Sequence, residues 1–192
     1  MTDARSPHGP LPHLPPLIAL VGFMGAGKTT VGRILATSLG FDFIDTDDII
    51  VERVGAPIAA IFSSRGEAEF RRLEAEALQS LVGRSRLVIA AGGGAPAQEA
   101  NRRFFASHAE TFHLRVSMQN ARGRAQLPGG PVRPLLSQGE SAVQLLYETR
   151  RSIYESLGRP VETDGRTPYE VADQIIRLLR DPTENRRTAE TS

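Results

Sequence analysis

The sequence predicts an α/β fold in three layers, a parallel sheet with helices on both faces. Two observations predict it. Short apolar runs alternate along the chain with longer amphipathic stretches. The first run, Leu17–Val21 (LIALV), is apolar at every position, as a strand buried on both faces must be, and it leads straight into the glycine-rich stretch GFMGAGKTT at 22–30.

The elements follow in order. After the first strand, residues 29–39 carry Val31, Ile34, Leu35 and Leu39 at helical spacing, and Gly40 stops the helix. FDFI at 41–44 reads as a short strand, and 47–54 and 66–82 read as helices. LVIAA at 87–91 is a buried strand that ends in Gly92, Gly93 and Gly94. A helix is predicted near 97–106, then the strand TFHLRV at 111–116 and another helix. LPGGPVRPLLSQGE at 127–140, with three prolines and three glycines, reads as a loop and a lid candidate. A long helix over 141–157, a strand over 159–162 and a helix over 168–180 complete the folded part. No internal repeat and no second domain is apparent. Residues 1–16 hold five prolines and no continuous apolar segment, so they read as an extended or disordered tail rather than a signal peptide. The polar residues 181–192 read likewise, which leaves one domain over 17–180.

Composition narrows the function. The 192 residues carry a formal net charge of +1, which gives no global field for nucleic acid or a membrane surface. Cysteine is absent, which removes disulfides, thiolate catalysis and Cys-ligated metal and fits a reducing compartment. No apolar run approaches the ~18–20 residues of a membrane span.

The chemistry starts at 22–29. Gly22, Gly25, Gly27, Lys28 and Thr29 fit G-x-x-x-x-G-K-[ST] between a predicted strand and a predicted helix. Glycines let successive backbone N–H groups turn inward and form an anion nest. The helix that starts there adds its positive end. Lys28 supplies a charge for the β- and γ-phosphates, and Thr29 offers a hydroxyl to Mg2+. The loop implies binding of a nucleoside triphosphate without naming the acceptor.

Residues beyond the loop address the acceptor. Asp45 and Asp47 stand at the end of the second predicted strand. One carboxylate there can orient the water shell of magnesium and the other can take a proton from a hydroxyl, while the same stretch would also cap a helix. No acidic residue follows LVIAA directly, so Asp45 is the better magnesium candidate. Arg71 and Glu74 sit three apart on one helical face, as a surface pair or as a guanidinium aimed by a carboxylate. Gly92–Gly94 repeats the strand-then-glycine pattern. Arg133 lies in the lid candidate, Arg150 and Arg151 lie on the long helix, and TDGRTP at 163–168 can frame a nucleobase.

Taken together, these motifs resemble the shikimate kinase family. Gly22–Thr30, DTD at 45–47, GEAEFRRLE at 66–74, GGG at 92–94, RPLL at 133–136 and the Arg150/Tyr154 pair occur in that family's order, over about residues 17–180. The resemblance implies a P-loop kinase of the nucleoside-monophosphate-kinase type with a five-stranded parallel sheet and a lid. It implies transfer of the ATP γ-phosphate to the 3-hydroxyl of shikimate on the route to chorismate, with Mg2+, in a cytoplasmic monomer. It assigns Gly25, Ala26, Gly27, Lys28, Thr29 and Thr30 to the ATP phosphates, and Thr29 to magnesium with Asp45 acting through water. Asp47 would meet the shikimate hydroxyls as the candidate base. Arg71, Arg150 and Gly93 would hold the acid, Arg133 would be the lid arginine on ATP, and Arg166 would lie by the adenine. Val51, Ser152 and Gln126 depart from the family pattern, and Arg124 is the alternative for the lid arginine that Gln126 replaces. Two other readings remain at this stage: another small-molecule P-loop kinase of the gluconate type, and a non-catalytic shikimate sensor.

Overall fold

A computed structural model describes residues 14–125 and 139–180. Within them run β1 (Leu17–Val21), α1 (Lys28–Leu39), β2 (Asp42–Asp45), α2 (Thr46–Val54), α3 (Ile58–Gln79), β3 (Leu87–Ala90), α4 (Glu99–His108), β4 (Glu110–Arg115), α5 (Met118–Ala125), α6 (Glu140–Leu157), β5 (Arg159–Glu162) and α7 (Pro168–Arg180). The five strands are parallel, in the order β2-β3-β1-β4-β5.

The order positions the site. β1 is central and buried along its whole length, as its unbroken apolar sequence requires. From β1 the chain first travels to β2 at one edge, and later crosses to β4 and β5 on the other side. Ligand crevices in such sheets open at the carboxyl ends of strands where the order reverses. The register then sets the height. Asp45 pairs with Ala90, Ala90 with Leu20, and Leu20 with Phe112, so these residues form one row. The DTD turn, the triple glycine and the P-loop therefore leave the sheet side by side.

Helices cover the sheet in two groups. α1 packs with α7, and α4 with α6. On α7 the buried residues Val171, Ala172, Ile175 and Ile176 form one helical stripe. On α6 the buried residues are Val143, Arg150 and Tyr154, so a cation and a phenol share an otherwise apolar face. The main core surrounds β1, β3 and β4. A smaller apolar cluster, Ile50, Ile61, Phe70, Leu73 and Ala77, lies between α2 and α3.

Three of the differences from the sequence reading have clear local causes. β2 begins at Asp42 because the Phe41 N–H is already donated to Ala36 O, closing the end of α1, and pairing starts with Asp42 N to Arg86 O at 2.8 Å. The helix expected near 97–106 is a 3-10 turn over Ala95–Ala97 followed by α4, since Gln98 is extended. The helix expected at 66–82 is the second part of α3. Its first part, from Ile58, is broken from it at Gly66, whose φ of 79° and ψ of 172° are not helical. No atom would crowd a β-carbon there, so the backbone angle alone selects glycine.

Candidate active site

The glycine loop wraps the end of β1. A β-carbon on Gly22 would lie 2.6 Å from Leu114 O, and one on Gly25 would lie 2.5 Å from Ala121 O. Any side chain at these positions would push the loop off β4 and α5. Gly27, at φ 89°, is the residue before α1, so the helix begins at Lys28 with its free N–H groups facing the loop. Ala26 is buried and Thr30 is exposed in the first turn. The Lys28 ammonium donates to Gly22 O at 2.8 Å and Phe23 O at 3.1 Å, bridging the loop that it belongs to.

Across from it, the Thr29 hydroxyl donates to Asp45 Oδ2 at 2.8 Å. Asp45 is also the N-cap of α2, where its Oδ1 accepts from Asp47 N at 3.1 Å. Capping and a contact to the P-loop threonine thus coexist in one carboxylate. A hydroxyl and a carboxylate oxygen side by side form a hard-donor pair that suits Mg2+, an ion that takes few protein ligands and keeps phosphate oxygens and waters. No group of three or more His, Cys, Asp or Glu suited to holding a metal occurs among the described residues.

The triple glycine organises the other half. Thr46, buried beside Asp45, accepts from Gly92 N at 2.9 Å and ties α2 to the loop after β3. A β-carbon on Gly92 would come within 2.8 Å of Asp47 Oδ1 and 2.9 Å of Glu74 Oε1. One on Gly93 would stand 3.9 Å from Arg150 Nη1, and one on Gly94 would overlap the Arg71 guanidinium. Gly92 and Gly94 therefore leave space that Asp47, Glu74 and Arg71 occupy, while Arg150 lies at contact distance from Gly93. Arg71 and Arg150, from α3 and α6, both stand by this loop.

Glu74 is their common neighbour. It is 1% exposed and paired with Arg71. Arg71 also binds Glu67 Oε1 at 2.9 Å and lies 5.5 Å from the Phe70 ring centroid. Burial raises the Glu74 carboxyl above its ordinary value and Asp47 pushes the same way, while Arg71 and Arg150 oppose them. Burial alone would lower the Arg71 guanidinium, but Glu74 and Glu67 outweigh it and hold it fully charged. Two cations and two carboxylates thus face one another around Gly92–Gly94, with the P-loop beside them.

On the other flank, Arg124 donates to Thr163 O at 2.9 Å, Thr163 Oγ1 at 3.0 Å and Gly25 O at 3.4 Å. It links the P-loop to the turn between β5 and α7. Arg166 stands in that turn, exposed and bonded to Gln174. Lid residues 127–138, with Arg133, and Gln126 lie outside the described residues, as do 1–13 and 181–192. Sequence reasoning took Thr46 only as the middle of DTD and missed its bond to Gly92, and it missed the bond from the Tyr154 hydroxyl to Gly93 O; both join residues far apart in the chain.

Comparison with known proteins gives a consistent result. The family model for shikimate kinase matches residues 24–180. The chain is 43% identical over 166 residues to the shikimate kinase of Salinispora tropica, covering 85% of this chain and 98% of that protein. It is 36% identical over 163 residues to that of Persephonella marina, covering 85% and 98%. Among solved structures, it is similar to shikimate kinase from Acinetobacter baumannii in complex with shikimate, with a TM-score of 0.79 and 38% identity over 86% of this chain and 93% of that one.

Proposed function

The chain belongs to the shikimate kinase family, and from that premise we propose how its own residues phosphorylate shikimate. The reaction moves the γ-phosphate of ATP to the 3-hydroxyl of shikimate, giving shikimate 3-phosphate and ADP for chorismate and aromatic amino acid biosynthesis. One observation supports the assignment of roles: Asp47, Arg150 and Arg71 lie in turn against Gly92, Gly93 and Gly94, and Gly93 lies against the P-loop.

ATP enters with its phosphates on the N–H groups of Gly25 to Thr30. Lys28 exchanges two loop carbonyls for phosphate oxygens, which places its charge where charge grows in the transition state. Thr29 and, through water, Asp45 would hold Mg2+, which would neutralise phosphate charge. Arg166 flanks the adenine, and Arg133 acts on the phosphates from the lid. The shikimate carboxylate lies on the guanidinium forks of Arg71 and Arg150, a planar anion on planar donors. With the acid fixed, Gly93 lines the ring and Asp47 faces the hydroxyls. Asp47 orients the 3-hydroxyl in line with the γ-phosphorus and accepts its proton as the new P–O bond forms. Glu74, held close to Arg71, keeps that arginine aimed. The enzyme is proposed to work as a cytoplasmic monomer. No helix among the described residues is long and apolar enough to cross a membrane.

The test is ADP release by the purified protein with Mg2+ and ATP, offered shikimate, quinate, gluconate or a nucleoside monophosphate. Turnover confined to shikimate is expected, with the product identified by 31P NMR and mass. Turnover with gluconate or a nucleotide and none with shikimate would overturn the reading.

A further inference from the structure

Tyr154 is 2% exposed and lies on the inward stripe of α6. Its hydroxyl donates to Gly93 O at 2.5 Å, across the gap between α6 and the loop after β3. Arg150 lies one turn earlier on the same buried face of α6, and its charge acts on the phenol. One phenol therefore holds the middle glycine and stands beside one of the two guanidinium groups of the acceptor pocket. Gly93 in turn touches the P-loop, since a β-carbon on it would lie 3.7 Å from Gly22 O and 3.9 Å from Met24 N. The ring packs against His113, 5.2 Å away, and both line a cavity of about 260 Å3. Burial pushes the phenol up to about 12, so the hydroxyl keeps its proton and remains a donor at every working pH.

We propose that Tyr154 is a positioning residue for the acceptor: its hydroxyl fixes the Gly93 peptide beside the Arg150 guanidinium, and so sets the geometry in which the carboxylate is gripped. This rests on the acceptor reading given above. The chemistry is selective in a useful way. Arg150 has rotatable bonds, and Gly93 has no side chain to anchor it. Tying the glycine to a buried, rigid ring on the helix that carries Arg150 removes their relative freedom before substrate arrives, which lowers the ordering cost of binding. Nothing in this arrangement addresses the nucleotide directly.

The experiment is Tyr154→Phe, which keeps the ring on His113 and removes only the hydroxyl. Shikimate KM should rise about tenfold, the scale of one buried hydrogen bond, while ATP KM stays within about twofold. The thermal midpoint, measured alongside, should stay near wild type. Arg150→Ala is made alone and together with Tyr154→Phe. The double variant should have nearly the kcat/KM for shikimate of Arg150→Ala alone, because both changes disable the same grip. Unchanged shikimate KM, parallel losses for ATP and shikimate, or additive losses in the double variant would each overturn the role of Tyr154. Wild-type protein that leaves shikimate unphosphorylated would overturn the acceptor reading and this inference together.

Discussion

Gly94 and Arg71 contend for one volume: a β-carbon on the glycine would fall inside the guanidinium of the arginine. The backbone is not the constraint, because Gly94 has φ −93° and ψ −17°, angles open to any residue. Gly94→Ala should therefore fold, displace Arg71 and weaken shikimate binding. We expect a thermal midpoint near wild type and a shikimate KM raised about tenfold, with ATP KM unchanged. A variant with normal shikimate KM would show that Arg71 does not touch the acceptor.

Arg71→Lys and Asp47→Asn separate binding from chemistry. Lysine keeps the charge beside Glu74 but loses the planar fork, so shikimate KM rises strongly and kcat falls little. Asparagine can still accept a bond but is a far weaker base, so kcat falls by about a hundredfold or more while KM moves less. Steady-state kinetics on both variants checks the division. Loss of ATP affinity in Arg71→Lys with intact shikimate binding would place the pocket elsewhere.

Lys28→Ala removes the charge aimed at the transferring phosphate. The loop loses two bonds, to Gly22 O and Phe23 O, but keeps Ala26 N to Phe23 O and its packing on β4. Folding should survive and kcat should fall by about a hundredfold or more. Circular dichroism and single-turnover phosphoryl transfer, measured together, separate the two effects.

His113 makes stability depend on pH. It is 4% exposed, and burial, reinforced by Arg115, lowers it from 6.5 to about 4. Between these values the unfolded chain binds a proton at this site and the folded chain does not, so stability rises with pH across the window. As pH falls from about 6.5 towards 4, up to about 3 kcal/mol should be lost through this residue. Urea unfolding at pH 7 and pH 4.5, on wild type and His113→Asn, should show a shallower fall in the variant. Equal slopes would contradict the assignment.

Much of this architecture was legible because its signals are local. The unbroken LIALV run, the glycine loop and the α7 stripe each lie within one element. The start of α3 was not legible, since Ile58 and Ile61 form too short a pattern once Gly66 interrupts it, and their apolar face makes sense only against Ile50 of α2. At the site, residue types were readable and their partners were not. Arg71 and Arg150 could be chosen as carboxylate ligands, but that Gly94 leaves the space Arg71 fills depends on long-range packing. That Arg124 joins the P-loop to Thr163 was not legible either, for the same reason.

Between α2 and α3, Ile50, Ile61, Phe70, Leu73 and Ala77 pack mainly with one another, apart from the core around β1. Substitutions there combine almost independently with substitutions under the P-loop. The helices that carry Asp47 and Arg71 can therefore be repacked on their own apolar support while the core beneath the glycine loop stays as it is.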